Sequence, residues 1–234
     1  MKQFSSLDEE FTLREKELEA QKGHHLEWIE PDQKKRIARA KEDPLYFAKE
    51  YFPSHWFAIG FAWFHSLLVD IFFKYTKDFD VFVGFRSAGK TRLSRVLVIY
   101  SNLFGKYHFF AVTSRTKDLA KSTNRLLRLE LEKNHKIIAD FGELVDPNRR
   151  ADDDWRTLPH YHNNIGTVNK VYSMGSTPRS ELEDTRPDFL YLEDVEDFQS
   201  SINPEQTDKR LSIIKKDFLE AVNENHWNGL MNTN

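Results

Sequence analysis

Cysteine is absent from the 234 residues, which excludes disulfides and thiolate-held metal and fits a reducing compartment. No apolar run approaches the roughly 18 residues that a membrane-spanning helix needs. The N-terminus is charged and has no apolar stretch, so no secretory signal is expected and the chain reads as soluble. A large charge of one sign is also missing: 34 Lys and Arg against 37 Asp and Glu leave a net charge of -3. A protein that holds nucleic acid with its whole surface is usually basic, so any such contact must come from a local patch. There is no internal repeat and no low-complexity tract. What is present is globular material, 39% apolar and 30% charged, with 19 Phe and 5 Trp to fill a core. The length suits one large domain, or a domain with a short appendage.

The composition divides the chain into a charged N-terminal helical arm, residues 1–45, and a domain spanning 46–234. In the arm, Ser6-Leu7-Asp8-Glu9 has the form of a capping box and predicts a helix to about His25. A second helix is expected from about Asp32 to Asp43-Pro44. Apolar periodicity is thin in both, which predicts an exposed arm. Tyr46 to Phe73 is dense in aromatics and reads as helices on a core. Strands and helices then alternate. Strands are expected at Phe79–Val83, His108–Val112, Val168–Met174, Phe189–Leu192 and Trp227–Met231. Helices are expected from Lys90 to Phe104, stopped by Gly105, from Lys117 to about Asn134, and from Pro204 with Asn203 as its cap. The polar stretch 146–164 reads as loop or hairpin. This alternation predicts an α/β fold with a central, mainly parallel sheet flanked by helices.

Gly84-Phe85-Arg86-Ser87-Ala88-Gly89-Lys90-Thr91 satisfies G-x-x-x-x-G-K-[ST] at every fixed position, between an expected strand and an expected helix. The glycines let the backbone curl until its N–H groups face phosphate oxygens, and the helix that follows adds its positive end. In such a loop Lys90 reaches the β- and γ-phosphates, while the Thr91 hydroxyl is a ligand for Mg²⁺. Gly84, Arg86, Ser87, Ala88, Gly89, Lys90 and Thr91 are therefore the candidate ATP-binding residues. The second signal is Phe189-Leu190-Tyr191-Leu192-Glu193-Asp194, an apolar strand ending in carboxylates, with Glu196 and Asp197 close behind. One carboxylate can hold Mg²⁺ through water and a neighbour can polarise the attacking water.

With these residues in view, the chain resembles the ATPase domain of the large terminase subunit of tailed bacteriophages, the motor that packages DNA. The resemblance rests on three stretches within residues 46–234: the P-loop with Arg86 inside it, the run Gly175-Ser176-Thr177-Pro178-Arg179 leading through Thr185-Arg186-Pro187-Asp188 into the acidic strand, and Phe61-Ala62-Trp63-Phe64-His65. It implies a P-loop NTPase fold of the ASCE type that hydrolyses ATP to drive double-stranded DNA into a viral procapsid. The implied partners are DNA, a portal protein, the small terminase subunit and further copies of the chain in a ring. The implied place is the cytoplasm of an infected bacterial host, with no membrane contact. By position, the resemblance gives Arg86 a place near the γ-phosphate, Glu193 the ion-side carboxylate, Asp194 the catalytic carboxylate and His65 the reading of adenine. It places Asn232-Thr233-Asn234 at the coupling motif. The family more commonly has Asp then Glu where this chain has Glu193 then Asp194. The family's nuclease domain has no room in these residues, and no nuclease activity is assigned.

Several features have two readings. His65 lies among Phe61, Phe64, Leu68, Ile71 and Phe72, so it is either an adenine contact or a helix histidine at the edge of the core. Arg179 is a candidate arginine finger or an ordinary paired arginine, and Arg186 reads as structural. Lys117, Lys121, Arg125 and Arg128 form one helix stripe that could touch DNA phosphates or simply face water. Lys34-Lys35-Arg36 has the same two readings. Asp152-Asp153-Asp154 with His160 and His162 has the residues of a metal site but no ligand spacing, and reads as a solvated loop. Two other functions fit the same motifs: a helicase-like ATPase on another nucleic acid, and a nucleotide-binding assembly module with weak hydrolysis.

Overall fold

The structure is a computed structural model that describes residues 7–21, 33–74, 78–83, 88–174, 186–195, 204–222 and 227–233. In chain order it runs through α1 (Leu7–Ala20), α2 (Gln33–Glu42), α3 (Pro44–Tyr51), a 3-10 turn at Ser54–Phe57 and α4 (Trp63–Phe73). Next come β1 (Asp78–Val83), α5 (Lys90–Phe104), β2 (Phe109–Ser114), α6 (Lys117–Lys133) and α7 (His135–Phe141). The remainder is β3 (Val145–Arg150), β4 (Asp154–Thr157), β5 (Val168–Ser173), β6 (Phe189–Glu193), α8 (Pro204–Ile213) with a π-helical turn at Ile214–Phe218, and β7 (Asn228–Thr233).

The strands form one sheet in the order β1-β7-β6-β2-β5-β4-β3. From β1 to β5 neighbouring strands are parallel, and β4 and β3 extend the sheet antiparallel. Strands covered on both faces need no polar alternation, and every residue of β2 and β6 is buried. One face carries Phe110, Val112, Phe189, Tyr191 and Leu230 against the helices α3 to α7. The other carries Ala111, Leu190 and Leu192 against Ile214, Phe218 and Val222. Phe189 stacks on Phe72 at 4.4 Å between ring centres and meets Tyr107 at 4.6 Å. Burying one such ring is worth about 2 kcal/mol by area.

The helix boundaries follow local chemistry. Asp43 does not merely end α2: its carboxylate accepts from the Leu45 and Tyr46 N–H groups, with Pro44 opening α3. Gly105 ends α5 at φ 62°, its N–H donating to the Ser101 carbonyl. The stretch 146–164 resolves into the β3–β4 hairpin. At the head of β6, the Asp188 carboxylate accepts from His108 N–H at 2.9 Å and Phe109 N–H at 2.8 Å, which ties β6 to β2. No described helix is long and apolar enough to cross a membrane.

The N-terminal residues depart from the exposed arm expected of them. Phe11 and Leu18 of α1 are buried against Leu126 and Leu129 of α6. Between them on the same helical face, Arg14 is buried and paired with Glu130, its Nη2 lying 3.0 Å from Oε2. Arg36 of α2 forks onto Asp140 of α7 at 2.9 and 2.7 Å. The periodicity looks thin because a paired arginine occupies the centre of the buried stripe.

Candidate functional site

β1 leads into the glycine-rich loop and α5 leads out of it. Gly84 to Ser87, Arg86 among them, lie outside the described residues, and Ala88 to Thr91 lie within them. Gly89 stands at the N-cap of α5 with φ 77°, a backbone that side chains rarely adopt. Gly89 has no side chain with which to cap this helix, and a helix N-terminus turns N–H groups and a positive dipole end toward any anion placed there. Lys90 follows, buried to 4% exposure, and Thr91 is half-buried beside it.

His65 sits at the third position of α4, 5% exposed, with Phe61 and Phe64 against its ring. Its Nδ1 accepts from the Ala62 N–H at 2.8 Å. Its Nε2 lies 2.9 Å from the Ala88 carbonyl oxygen, inside the glycine-rich loop. Both ring nitrogens are thus engaged by backbone.

The sheet register sets the other half of the site. Phe82 of β1 pairs with Asn232 of β7, and Asn232 pairs with Glu193 of β6, so all three stand at one level. Two strand spacings, about 10 Å, separate the backbone of Phe82 from that of Glu193. Alternation puts Glu193 on the same face as Phe189 and Tyr191, under α5 and α6. It is 4% exposed. Arg95 donates to it through Nη2 at 2.8 Å and Nε at 3.3 Å, Thr123 Oγ1 donates at 3.3 Å and Tyr191 OH at 3.2 Å. Arg95 also reaches Glu10 of α1 at 2.9 Å. Burial pushes the Glu193 carboxyl above its ordinary range against the downward pull of Arg95. Burial works to discharge Arg95, and Glu193 and Glu10 outweigh it, so the guanidinium stays charged. Asp194 is exposed, and its φ of 47° makes it the one non-glycine residue in the left-handed region among those described.

No protein-family model matches this chain, and no curated protein is significantly similar to it.

The structure therefore brings Ala88–Thr91, His65, Glu193 and Asp194 to one end of the sheet, since parallel strands place their carboxyl ends on one edge. Arg179, Glu196 and Asp197 lie outside the described residues. Arg186 is exposed beside a buried Pro187. The basic stripe of α6 is occupied from within: Lys117 and Lys121 each stand 3.6 Å from Asp153, Arg128 pairs with Asp152 at 2.8 Å, and Arg125 lies over the Phe11 ring at 3.7 Å. These contacts favour a solvated, internally paired face. His160 and His162 are both pushed down by burial, and among the described residues no group of three acidic or histidine side chains is placed to hold a metal. Sequence reasoning missed Arg95, Thr123, Tyr191 and Glu10. Arg95 alone left a trace, as a charge one turn after Thr91 with the apolar run Val96, Leu97, Val98 and Ile99 directly behind it.

Proposed function

We propose that this chain is an ATP-hydrolysing motor domain of the P-loop, ASCE-type class that drives double-stranded DNA into a viral procapsid, as in the large terminase subunits it resembles. The observation that carries the reading is the complete Gly84–Thr91 motif joined to β1 and α5, with Gly89 in the left-handed region and Lys90 buried at the helix start. The carboxylates that end β6 on the same edge support it.

In this reading the loop N–H groups and Lys90 hold the β- and γ-phosphates, and Asp194 polarises a water molecule. The water oxygen bonds to the γ-phosphorus and gives up its proton to the Asp194 carboxylate, the bond to the bridging oxygen breaks, and ADP leaves with the electron pair, with inorganic phosphate as the other product. Arg86 and Arg179 are the candidates to neutralise charge on the transferring group. Thr91 at the head of α5 would be the protein ligand of a nucleotide-bound Mg²⁺, which would offset phosphate charge. An ion-side role for Glu193 competes with the four hydrogen bonds that already engage its oxygens.

A phosphate-release assay with and without double-stranded DNA tests the proposal. The parent is expected to hydrolyse ATP faster with DNA, and Lys90→Ala to lose hydrolysis and most nucleotide binding. Hydrolysis by Lys90→Ala at the parent rate would remove the loop from the mechanism. The burial of Glu193 under Arg95 favours one second reading, a nucleotide-binding assembly module with weak hydrolysis. Tight nucleotide binding with slow, DNA-independent phosphate release would select it.

A further inference from the structure

His65 lies near the glycine-rich loop, yet neither ring nitrogen is turned to a ligand. The Ala62 N–H can only donate, so Nδ1 is the unprotonated nitrogen. The Ala88 carbonyl can only accept, so Nε2 carries the proton and donates to it. The two partners fix one neutral tautomer. An alanine built at Gly89 would place its Cβ 3.6 Å from Nε2, so the ring lies in ordinary contact with the loop.

The bond from Nε2 has a consequence for the next peptide. In a trans peptide the C=O and the following N–H point in opposite directions. Tying the Ala88 carbonyl to His65 therefore aims the Gly89 N–H away from His65. Gly89 has no Cβ to select one peptide orientation over its flipped alternative, and its φ of 77° is one of several open to it. A buried, fully bonded imidazole supplies the selection that the glycine lacks.

We propose that His65 is a positioning residue, a latch on the 88–89 peptide that presets the Gly89 N–H for a polyphosphate, and that it does not read the base. This rests on the nucleotide reading above. The ligand class it serves is the phosphate chain common to nucleoside triphosphates and inorganic tripolyphosphate.

Binding of ATP, GTP and inorganic tripolyphosphate, each with Mg²⁺, is measured by calorimetry on the parent, His65→Asn and His65→Gln. Asparagine keeps an acceptor for the Ala62 N–H and is too short to reach Ala88. Glutamine reaches Ala88 with an N–H donor. His65→Asn is expected to melt somewhat below the parent, as the loss of a buried bond requires, and, measured well below that transition, to weaken all three ligands by one common factor, about three- to tenfold for the loss of one hydrogen bond. His65→Gln is expected to stay within about twofold of the parent, as the retained bond requires. A loss confined to ATP, with tripolyphosphate unchanged, would make His65 an adenine contact and overturn the latch. Parent-like binding of all three by His65→Asn would also overturn it. A parent that binds none of the three ends the nucleotide reading and the latch together. Nitrogen-15 histidine spectra of the parent give an independent check: His65 protonated at Nδ1 would overturn the proposal whether or not either variant folds.

Discussion

Glu193 is sealed under α5 and α6, while Asp194, the next residue, stands in solvent on a left-handed backbone. The two carboxylates therefore fail differently. Asparagine tolerates the left-handed region at least as well as aspartate, so Asp194→Asn removes a charge without disturbing the chain. Its stability is expected within about 0.5 kcal/mol of the parent, as for an ordinary surface change. Single-turnover hydrolysis is expected to fall about 100-fold or more while ATP stays bound, the mark of a lost water-polarising group. Full activity would move the chemistry to Glu196 or Asp197. Glu193→Gln takes a charge from Arg95 and weakens a buried network, so it should cost about 1–3 kcal/mol in urea unfolding. A variant that kept its stability and lost only Mg²⁺-dependent binding would give Glu193 the ion-side role after all.

Between elements, the docking of α1 on α6 depends on a stripe with a charge at its centre. Phe11, Arg14 and Leu18 face α6, and the Arg14–Glu130 pair is buried on both sides, each side chain 4% exposed. Removing one partner leaves the other as an uncompensated buried charge, so Arg14→Ala should destabilise by about 3–5 kcal/mol, and the Arg14→Met, Glu130→Met double variant should recover most of that loss. Additive effects in thermal unfolding would show that the two residues do not act as a pair. The same helix shows where sequence reading stops. β2 and β6 were legible because each opens on an unbroken apolar run, Phe109 to Val112 and Phe189 to Leu192, and α5 because Gly89 and Gly105 bracket it. The packing of α1 was not, because its two buried apolar residues, Phe11 and Leu18, are seven apart and the position between them pairs with a residue 116 places away. β3 was legible only as one arm of a possible hairpin, with loop as the alternative: Val145-Asp146-Pro147-Asn148-Arg149-Arg150 carries a proline and little apolar alternation, which an edge strand tolerates and a central one does not. At the site, the motif residues announced themselves locally. Arg95 did not, since what makes it matter is Glu193, 98 residues on.

Across the whole molecule, the strand that leads into the glycine-rich loop and the strand that carries the carboxylates never touch; β7 lies between them. Among the described strands, β1 joins the sheet through β7 alone, so the spacing of the site is set there. Gly229 is paired directly with Phe79 of β1 on one side and Leu190 of β6 on the other. A Cβ at that position would stand 2.5 Å from Phe79 Cδ2 and 3.3 Å from Leu190 Cβ. The Phe79 ring occupies the space that the glycine leaves, an aromatic covering a cross-strand glycine. Alanine is the better strand residue by about 0.5–1 kcal/mol. The crowding works against it, and overpacking costs about 1–3 kcal/mol, so Gly229→Ala should be net destabilising in urea unfolding. The displaced element is β1, so the loop should shift against Asp194. Hydrolysis is then expected to fall by a larger factor than ATP affinity, because the phosphates are held within the loop while the attacking water is placed from β6. Shortening the ring with Phe79→Leu should restore stability and hydrolysis together in the double variant. Gly229→Ala with parent stability and parent turnover would mean that β1 adjusts without moving the loop, and that the spacing across β7 does not set the chemistry.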